Sequence, residues 1–137
     1  MNHDEPVFNL TGHGKEIYSL RWSPSGQRSE NPNLDPLLAT ASFDNTIKLW
    51  DLEGGQCLRT LSKHTAPIYT VAFSPDARFI ATGSMDKNLY VWSVKEGELV
   101  RSFENKGGIF EVSWNATGNR LAIASSSKSI EVLDFKY

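Results

Sequence analysis

Apolar and polar residues alternate with a period of two along most of the chain, in short runs bounded by turn signals. Ile17-Tyr18-Ser19-Leu20-Arg21-Trp22 is one such run, closed by Ser23-Pro24-Ser25-Gly26. Val71-Ala72-Phe73 ends in Ser74-Pro75-Asp76-Ala77, and Val112-Ser113-Trp114 in Asn115-Ala116-Thr117-Gly118. β-branched and aromatic types dominate the runs, as expected for pleated, buried strands. The pattern predicts strands near 16–23, 37–42, 46–51 and 56–61, then 67–74, 79–84, 88–93 and 98–103, then 108–115, 120–125 and 129–134. Glu53-Gly54-Gly55 and Lys95-Glu96-Gly97 read as tight hairpin turns. Helical spacing is nowhere sustained.

The runs repeat. Ile17-Tyr18-Ser19-Leu20-Arg21-Trp22-Ser23-Pro24 matches Ile68-Tyr69-Thr70-Val71-Ala72-Phe73-Ser74-Pro75, and both match Ile109-Phe110-Glu111-Val112-Ser113-Trp114-Asn115-Ala116. A second landmark runs from Ala39-Thr40-Ala41-Ser42-Phe43-Asp44 to Trp50-Asp51. It recurs from Ala81-Thr82-Gly83-Ser84-Met85-Asp86 to Trp92-Ser93, and from Ala122-Ile123-Ala124-Ser125-Ser126-Ser127 to Leu133-Asp134. The first repeat is longer than the others by a polar insertion at 27–36, whose Asn31-Pro32-Asn33 and Asp35-Pro36 read as an enlarged loop.

Four-stranded antiparallel units at a period of about 40–45 residues, carrying Gly-His and Trp-Asp landmarks, are a propeller signature. Gly12-His13 and Trp50-Asp51 supply both landmarks, and the chain resembles the WD-repeat family of β-propellers over nearly its whole length. The expected fold is all-β: about three four-stranded antiparallel blades, an incomplete propeller. The expected units are residues 1–11, an outer strand of a preceding or permuted last blade; 12–62, a repeat with the insertion; 63–104, a second repeat; and 105–137, a degenerate terminal repeat. Val7-Phe8-Asn9-Leu10 is the strand expected in the first unit. It could belong to a blade whose other strands are absent or complete the third blade. Three blades fall short of the four to eight that close a ring. The expectation is therefore the C-terminal portion of a larger protein or a truncated gene product, with open apolar flanks prone to self-association.

His13, Ser42, Asp44 and Trp50 recur as His64, Ser84, Asp86 and Trp92. Ser, His and Asp together invite comparison with a nucleophilic triad. A triad used for chemistry need occur once, however, and no strained nucleophile turn accompanies this one. The resemblance implies a structural tetrad instead. The indole N–H donates to a Ser or Thr hydroxyl, the hydroxyl bonds the His, and the His bonds the turn Asp. In the third repeat Asn105 stands for His, Ser127 for Asp and Leu133 for Trp, so that blade is expected to rely on apolar packing and to be less rigid. No enzyme activity, catalytic residue or cofactor is expected.

Composition narrows the picture further. With 39% apolar, 11% aromatic and 22% charged residues and a formal charge of −2, the chain is not of a disordered class. Its basic residues are scattered, so no direct nucleic-acid partner is expected. No apolar run reaches membrane-helix length, and no membrane partner is expected. Met1 to Leu10 carries Asp4 and Glu5 and no basic residue, unlike a secretory signal. Cys57 is the single cysteine, which excludes an internal disulfide and is read as an unreactive small apolar residue beginning an outer strand. His3, His13 and His64 lack metal-ligand spacing, so no metal site is expected.

Repeat position places Tyr18, Phe43, Tyr69, Met85 and Phe110 on the narrow top face, with Ser126 alongside. Aromatics and Met are enriched at interface cores, so these five are the candidate partner-binding residues. Lys15, Glu16, Arg21 and the insertion are expected to form their polar border. The run Glu16-Ile17-Tyr18 through Trp22-Ser23-Pro24 and Asn31-Pro32-Asn33, with Gly107-Gly108-Ile109-Phe110-Glu111-Val112-Ser113-Trp114-Asn115, is similar to the transducin β-like, F-box-like/WD-repeat corepressor subunits. The similarity covers the last three repeats of such proteins. It implies a nuclear scaffold in histone-deacetylase corepressor complexes, with corepressor proteins and histone tails as partners. The alternative is an adaptor or substrate receptor of a ubiquitin ligase, or another assembly platform.

Overall fold

The computed structural model describes residues 6–25, 29 and 31–137. These form eleven strands: β1 (Ile17–Trp22), β2 (Leu37–Ser42), β3 (Thr46–Asp51), β4 (Cys57–Ser62), β5 (Ile68–Phe73), β6 (Phe79–Ser84), β7 (Asn88–Ser93), β8 (Leu99–Glu104), β9 (Ile109–Trp114), β10 (Arg120–Ser125) and β11 (Ile130–Asp134). They make three antiparallel sheets in simple up-and-down order: β1-β2-β3-β4, β5-β6-β7-β8 and β9-β10-β11. Each sheet is one blade. The fold is that of propeller blades in an incomplete ring, and the alternation in the sequence sets every strand within a residue or so of its expected bounds. Among the described residues no helix is long and apolar enough to cross a membrane.

The core lies between blades rather than within them. Ala39, Ala41, Ile47, Leu49 and Leu61 of blade 1 close on Ile68, Val71, Ile80, Tyr90 and Trp92 of blade 2. Phe79, Ala81, Leu89 and Val91 of blade 2 close in turn on Ile109, Val112, Leu121, Ile123 and Phe135 of blade 3. A strand buried on both faces loses the need for polar alternation. That is why β6, with Phe79-Ile80-Ala81-Thr82-Gly83-Ser84, is buried at every position.

Two expectations need correction here. Val7-Phe8-Asn9-Leu10 forms no strand. The Phe8 ring instead lies against Gly55 at the β3–β4 hairpin, where a Cβ would meet it at 2.6 Å. The outer edge of blade 3, β11, has no strand beside it among the described residues. The insertion does not border the top face either. It joins β1 to β2 at the strand ends opposite the β2–β3 turn, where Leu34 and Asp35 line a groove with Leu58, Arg59 and Lys95. Residues 1–5 of the first expected unit, His3 among them, and 27, 28 and 30 of the insertion lie outside the described residues.

Candidate functional site

In blade 1 the His13 ring bridges β2 and the β2–β3 turn. Its Nδ1 lies 2.9 Å from Asp44 Oδ2 and its Nε2 2.7 Å from Thr40 Oγ1, and Trp50 Nε1 donates to that same hydroxyl at 2.9 Å. Blade 2 repeats this with His64, Asp86, Thr82 and Trp92 at 2.9, 2.8 and 3.0 Å. The indole N–H can only donate and the ionised carboxylate can only accept. With the imidazole neutral, protons therefore point one way: indole to threonine, threonine to Nε2, Nδ1 to aspartate.

The hydroxyl of each relay is thus Thr40 or Thr82, a correction to the tetrad as read from sequence. Trp50 pairs directly with Leu38 across the β2–β3 ladder, and Trp92 with Ile80. A long side chain reaches the diagonal neighbour, two residues on, which is the threonine. Ser42 and Ser84 lie two residues further and do another job. Ser42 Oγ donates to the carbonyls of Lys15 and Glu16 at 3.1 and 3.0 Å, and accepts the Asp44 N–H at 3.0 Å. Ser84 does the same with Ala66, Pro67 and Asp86. Each serine ties the loop entering the inner strand to the end of the second strand. Neither contacts its histidine, so serine, histidine and aspartate do not form a nucleophile–base pair.

Electrostatics follow from this geometry. Burial alone would push the Asp44 carboxyl up. The Thr46 hydroxyl, the Gly14 N–H, the His13 ring and the Thr46 N–H outweigh it and hold the group well below the usual carboxylate range. Burial likewise opposes ionisation of Asp86, but N–H donors from Thr65 and Asn88, together with His64, keep its value low. Burial pushes the His64 imidazole below its ordinary value, against the pull of Asp86. Among the described residues no three His, Cys, Asp or Glu side chains gather as a metal would require.

Blade 3 has Asn105, Ser127 and Leu133 at three relay positions, and Ile123 in place of the threonine. Asn105 Nδ2 donates to the Gly107 carbonyl at 3.2 Å, and the Ser125 and Ser127 hydroxyls lie 2.7 Å apart. The blade closes with rings instead. Phe135 packs edge-on to Phe79 and Trp114, each with centroids 5.2 Å apart, and Tyr137 packs on Phe79 at 4.9 Å.

The five top-face candidates do come together. The ladder skips one residue between Ile17 and Ser19, between Ile68 and Thr70, and opposite the Ala124–Ser125 step. The extra residues are Tyr18, Tyr69 and Phe110. A bulge re-aims the residue it leaves unpaired, and here it turns three aromatic rings to the same end of the sheets. Phe43 and Met85 reach that end from the apices of the β2–β3 and β6–β7 turns. In each turn the following Asn45 or Lys87 takes a left-handed φ of 71° or 73°. Tyr18 stacks on Phe43 at 5.5 Å, Tyr69 meets Tyr18 edge-on at 4.9 Å, and Phe110 meets Tyr69 at 5.6 Å. The Met85 sulfur lies over Gly108, where a Cβ would meet it at 2.6 Å. The result is one row of rings crossing all three blades, with Tyr18, Met85 and Phe110 exposed. Of the expected border, Lys15 and Glu16 flank this row on the loop into β1. Arg21 points along the inner wall toward Glu111, 3.9 Å away. Cys57 begins β4 as expected but is exposed rather than packed away.

Repeated antiparallel blades, each of the first two locked by a His–Asp–Thr–Trp relay, define a WD-repeat scaffold. The WD domain, G-beta repeat family profile matches residues 4–51 and 55–93, and the chain belongs to that family. It is 48% identical to the F-box-like/WD repeat-containing protein TBL1X of Mus musculus, over 97% of this chain and 33% of that protein. It is 49% identical to the human F-box-like/WD repeat-containing protein TBL1Y, over 96% of this chain and 33% of that one. The WD40 repeat-containing protein HOS15 of Arabidopsis thaliana is 52% identical over 81% of this chain and 18% of its own length. The chain therefore spans about a third of the first two relatives, at 33% of each.

Proposed function

We propose that the chain is a non-enzymatic protein-docking scaffold, working in the nucleus as part of a transcriptional corepressor assembly that contains a histone deacetylase. The observation that carries the docking reading is the continuous ring row Tyr18-Phe43-Tyr69-Phe110 with Met85 beside it. Large rigid side chains held half out of water supply contact area at little cost in side-chain entropy. The non-enzymatic reading draws on the relay itself: each histidine has both nitrogens engaged, and each serine is spent on backbone carbonyls. The corepressor assignment rests on likeness to the F-box-like/WD repeat-containing relatives and on the Gly107-Gly108-Ile109-Phe110-Glu111-Val112 run, and it extends to corepressor proteins and histone tails as partners.

A second reading is an adaptor of a ubiquitin ligase, favoured by the F-box-like part of the relatives' names. Affinity capture from nuclear extract separates the two. The immobilised chain is expected to retain deacetylase-corepressor subunits, and Phe110→Ser, at the exposed end of the row, to release them with little change in the unfolding midpoint. Retention of ligase subunits alone favours the second reading. Equal retention by Phe110→Ser sinks the top face as the docking site.

A further inference from the structure

Lysines gather at the end of the sheets that presents the ring row. Lys15 lies on the loop that delivers Tyr18, Lys87 follows Met85 in the β6–β7 turn, and Lys128 follows Ser126 in the β10–β11 turn; all are exposed. Lys106, also exposed, precedes Gly107 and Gly108, which lie under Ser126 and Met85. That contact sets Lys106 between the same turns. Among the described residues none of these ammonium groups meets a carboxylate or an aromatic ring. Lys63, on the loop leaving β4, is held apart from them, 5.8 Å from the Tyr90 ring centroid.

The carboxylates of these loops do not cancel the lysines. Asp44 and Asp86 are turned inward, where ring and backbone N–H groups satisfy them. Glu104, which ends β8, acts on Tyr90 beside Lys63. Among the described loop residues at this end that leaves Glu16. The opposite end is unlike it: the β3–β4 and β7–β8 hairpins and the β5–β6 turn expose Glu53, Asp76, Glu96 and Glu98 against Arg78 and Lys95. The formal charge of −2 is therefore an average over unlike ends. Lys87 and Lys128 also hold left-handed backbone, at φ 73° and 68°, where blade 1 has Asn45 at 71°. Asparagine tolerates that conformation; lysine gains nothing from it. Backbone preference does not account for these lysines, and strain of this kind collects where a side chain is used.

We propose that the top face takes an acidic peptide segment with a large apolar anchor. The anchor lies on the row at Tyr69, Met85 and Phe110, and the carboxylates that flank it reach Lys87, Lys106 and Lys128. Charges around an apolar centre steer the encounter and reject partners of the wrong sign more than they add affinity. This occupant presupposes that the row is the docking site. Of the partners proposed for that site it is an acidic stretch of a corepressor protein, not a basic histone tail.

Fluorescence anisotropy on the 137-residue chain tests this with labelled probes. They are a short peptide in which Glu and Asp flank a Leu-Phe pair, the same peptide with Lys for every acidic residue, and single-stranded oligouridine. The acidic peptide is expected to bind best, and to weaken at least about fivefold as ionic strength rises from about 0.05 M to about 0.3 M. Lys87→Asn with Lys128→Asn removes both charges at places that suit asparagine. The double variant should unfold no earlier than the wild type yet bind the acidic peptide about threefold to tenfold more weakly. Lys87→Arg with Lys128→Arg, which keeps the charge, should bind as the wild type does. No binding of the acidic peptide, preference for the lysine peptide or for oligouridine, or equal binding by the asparagine variant overturns the proposal. Capture from nuclear extract tells its failure from that of the docking reading. Partners released by Phe110→Ser but held by the asparagine variant remove the acidic occupant alone, whereas partners held by Phe110→Ser remove the row as the docking site and the proposal with it.

Discussion

In blade 2, His64, Thr82, Asp86 and Trp92 form one hydrogen-bonded relay, and in blade 3 the same places hold Asn105, Ile123, Ser127 and Leu133. All four members change together. A partial exchange would strand a buried donor or acceptor, which costs more than the bond it once made was worth. Blade 3 avoids that penalty by replacing the hydroxyl with a fully buried isoleucine and the indole with a leucine, and it gains its grip on blade 2 from Phe135 and Trp114. One backbone pattern is thus held by a polar lock in one blade and by aromatic packing in the next.

The comparison breaks most visibly at Phe135. Truncation to Ala removes the ring that joins Phe79 to Trp114, and is expected to lower stability by about 3–5 kcal/mol. Urea unfolding measures it; a loss under about 1 kcal/mol would show that blade 3 does not depend on its rings. Next comes Thr82→Val, nearly isosteric, which leaves the Trp92 N–H and the His64 Nε2 without their shared partner. Two stranded groups should cost about 2–4 kcal/mol. The fourfold exchange of blade 2 to the blade 3 residues should then cost less than the sum of its single steps, the signature of a coupled unit. In blade 1, His13→Ala or Asp44→Ala should each lower stability by about 1–3 kcal/mol, and unchanged thermal unfolding in both would remove the relay from the stability account.

Acid should weaken the relays and spare the ring cluster. The folded value of His64 lies below its unfolded one, so below about pH 6.5 the unfolded chain binds more protons and stability falls with pH. Asp44 and Asp86 are also lowered in the folded state, and their contribution is present above about pH 4 and lost as pH drops through the folded values. Both effects have the same sign. A stability that is flat from pH 7 to pH 4 would contradict it.

Strand positions were legible because alternation and an insertion-interrupted 41–42-residue register agree at every landmark, from Trp50 to Trp92 to Leu133. The relay hydroxyl was misread for a physical reason. Thr40 and Ser42 are two apart and point to the same face of β2, so composition at that face does not separate them. The ladder does, by setting Trp50 opposite Leu38. A sequence signal did exist: the third repeat replaces Thr by Ile123 but keeps Ser125 while losing the His, Asp and Trp. The N-terminal segment failed differently. Phe8 and Leu10 alternate with Asn9 like a strand, but a strand also needs a free ladder edge within reach, and Phe8 finds Gly55 instead. Repeat position was enough to put Tyr18, Tyr69 and Phe110 on one face; the bulges that aim them leave no mark in a single run of residues.

The smallest expected effect sharpens the contrast furthest. Ser127 occupies the place of Asp86, yet it is half-buried and, among the described residues, its hydroxyl meets only Ser125 and Ser129, at 2.7 and 3.1 Å. Asp86 receives His64, Thr65 and Asn88. Removing the Ser127 hydroxyl strands no buried charge and no ring nitrogen, and its neighbours can turn to water. Ser127→Ala should therefore change stability by less than about 0.5 kcal/mol, while Asp86→Ala costs about 1–3 kcal/mol by leaving His64 unpaired. Matched urea curves for the two variants decide it. Equal losses would mean that the turn aspartate matters only as a turn residue, and that the relay adds nothing beyond the hairpin it caps.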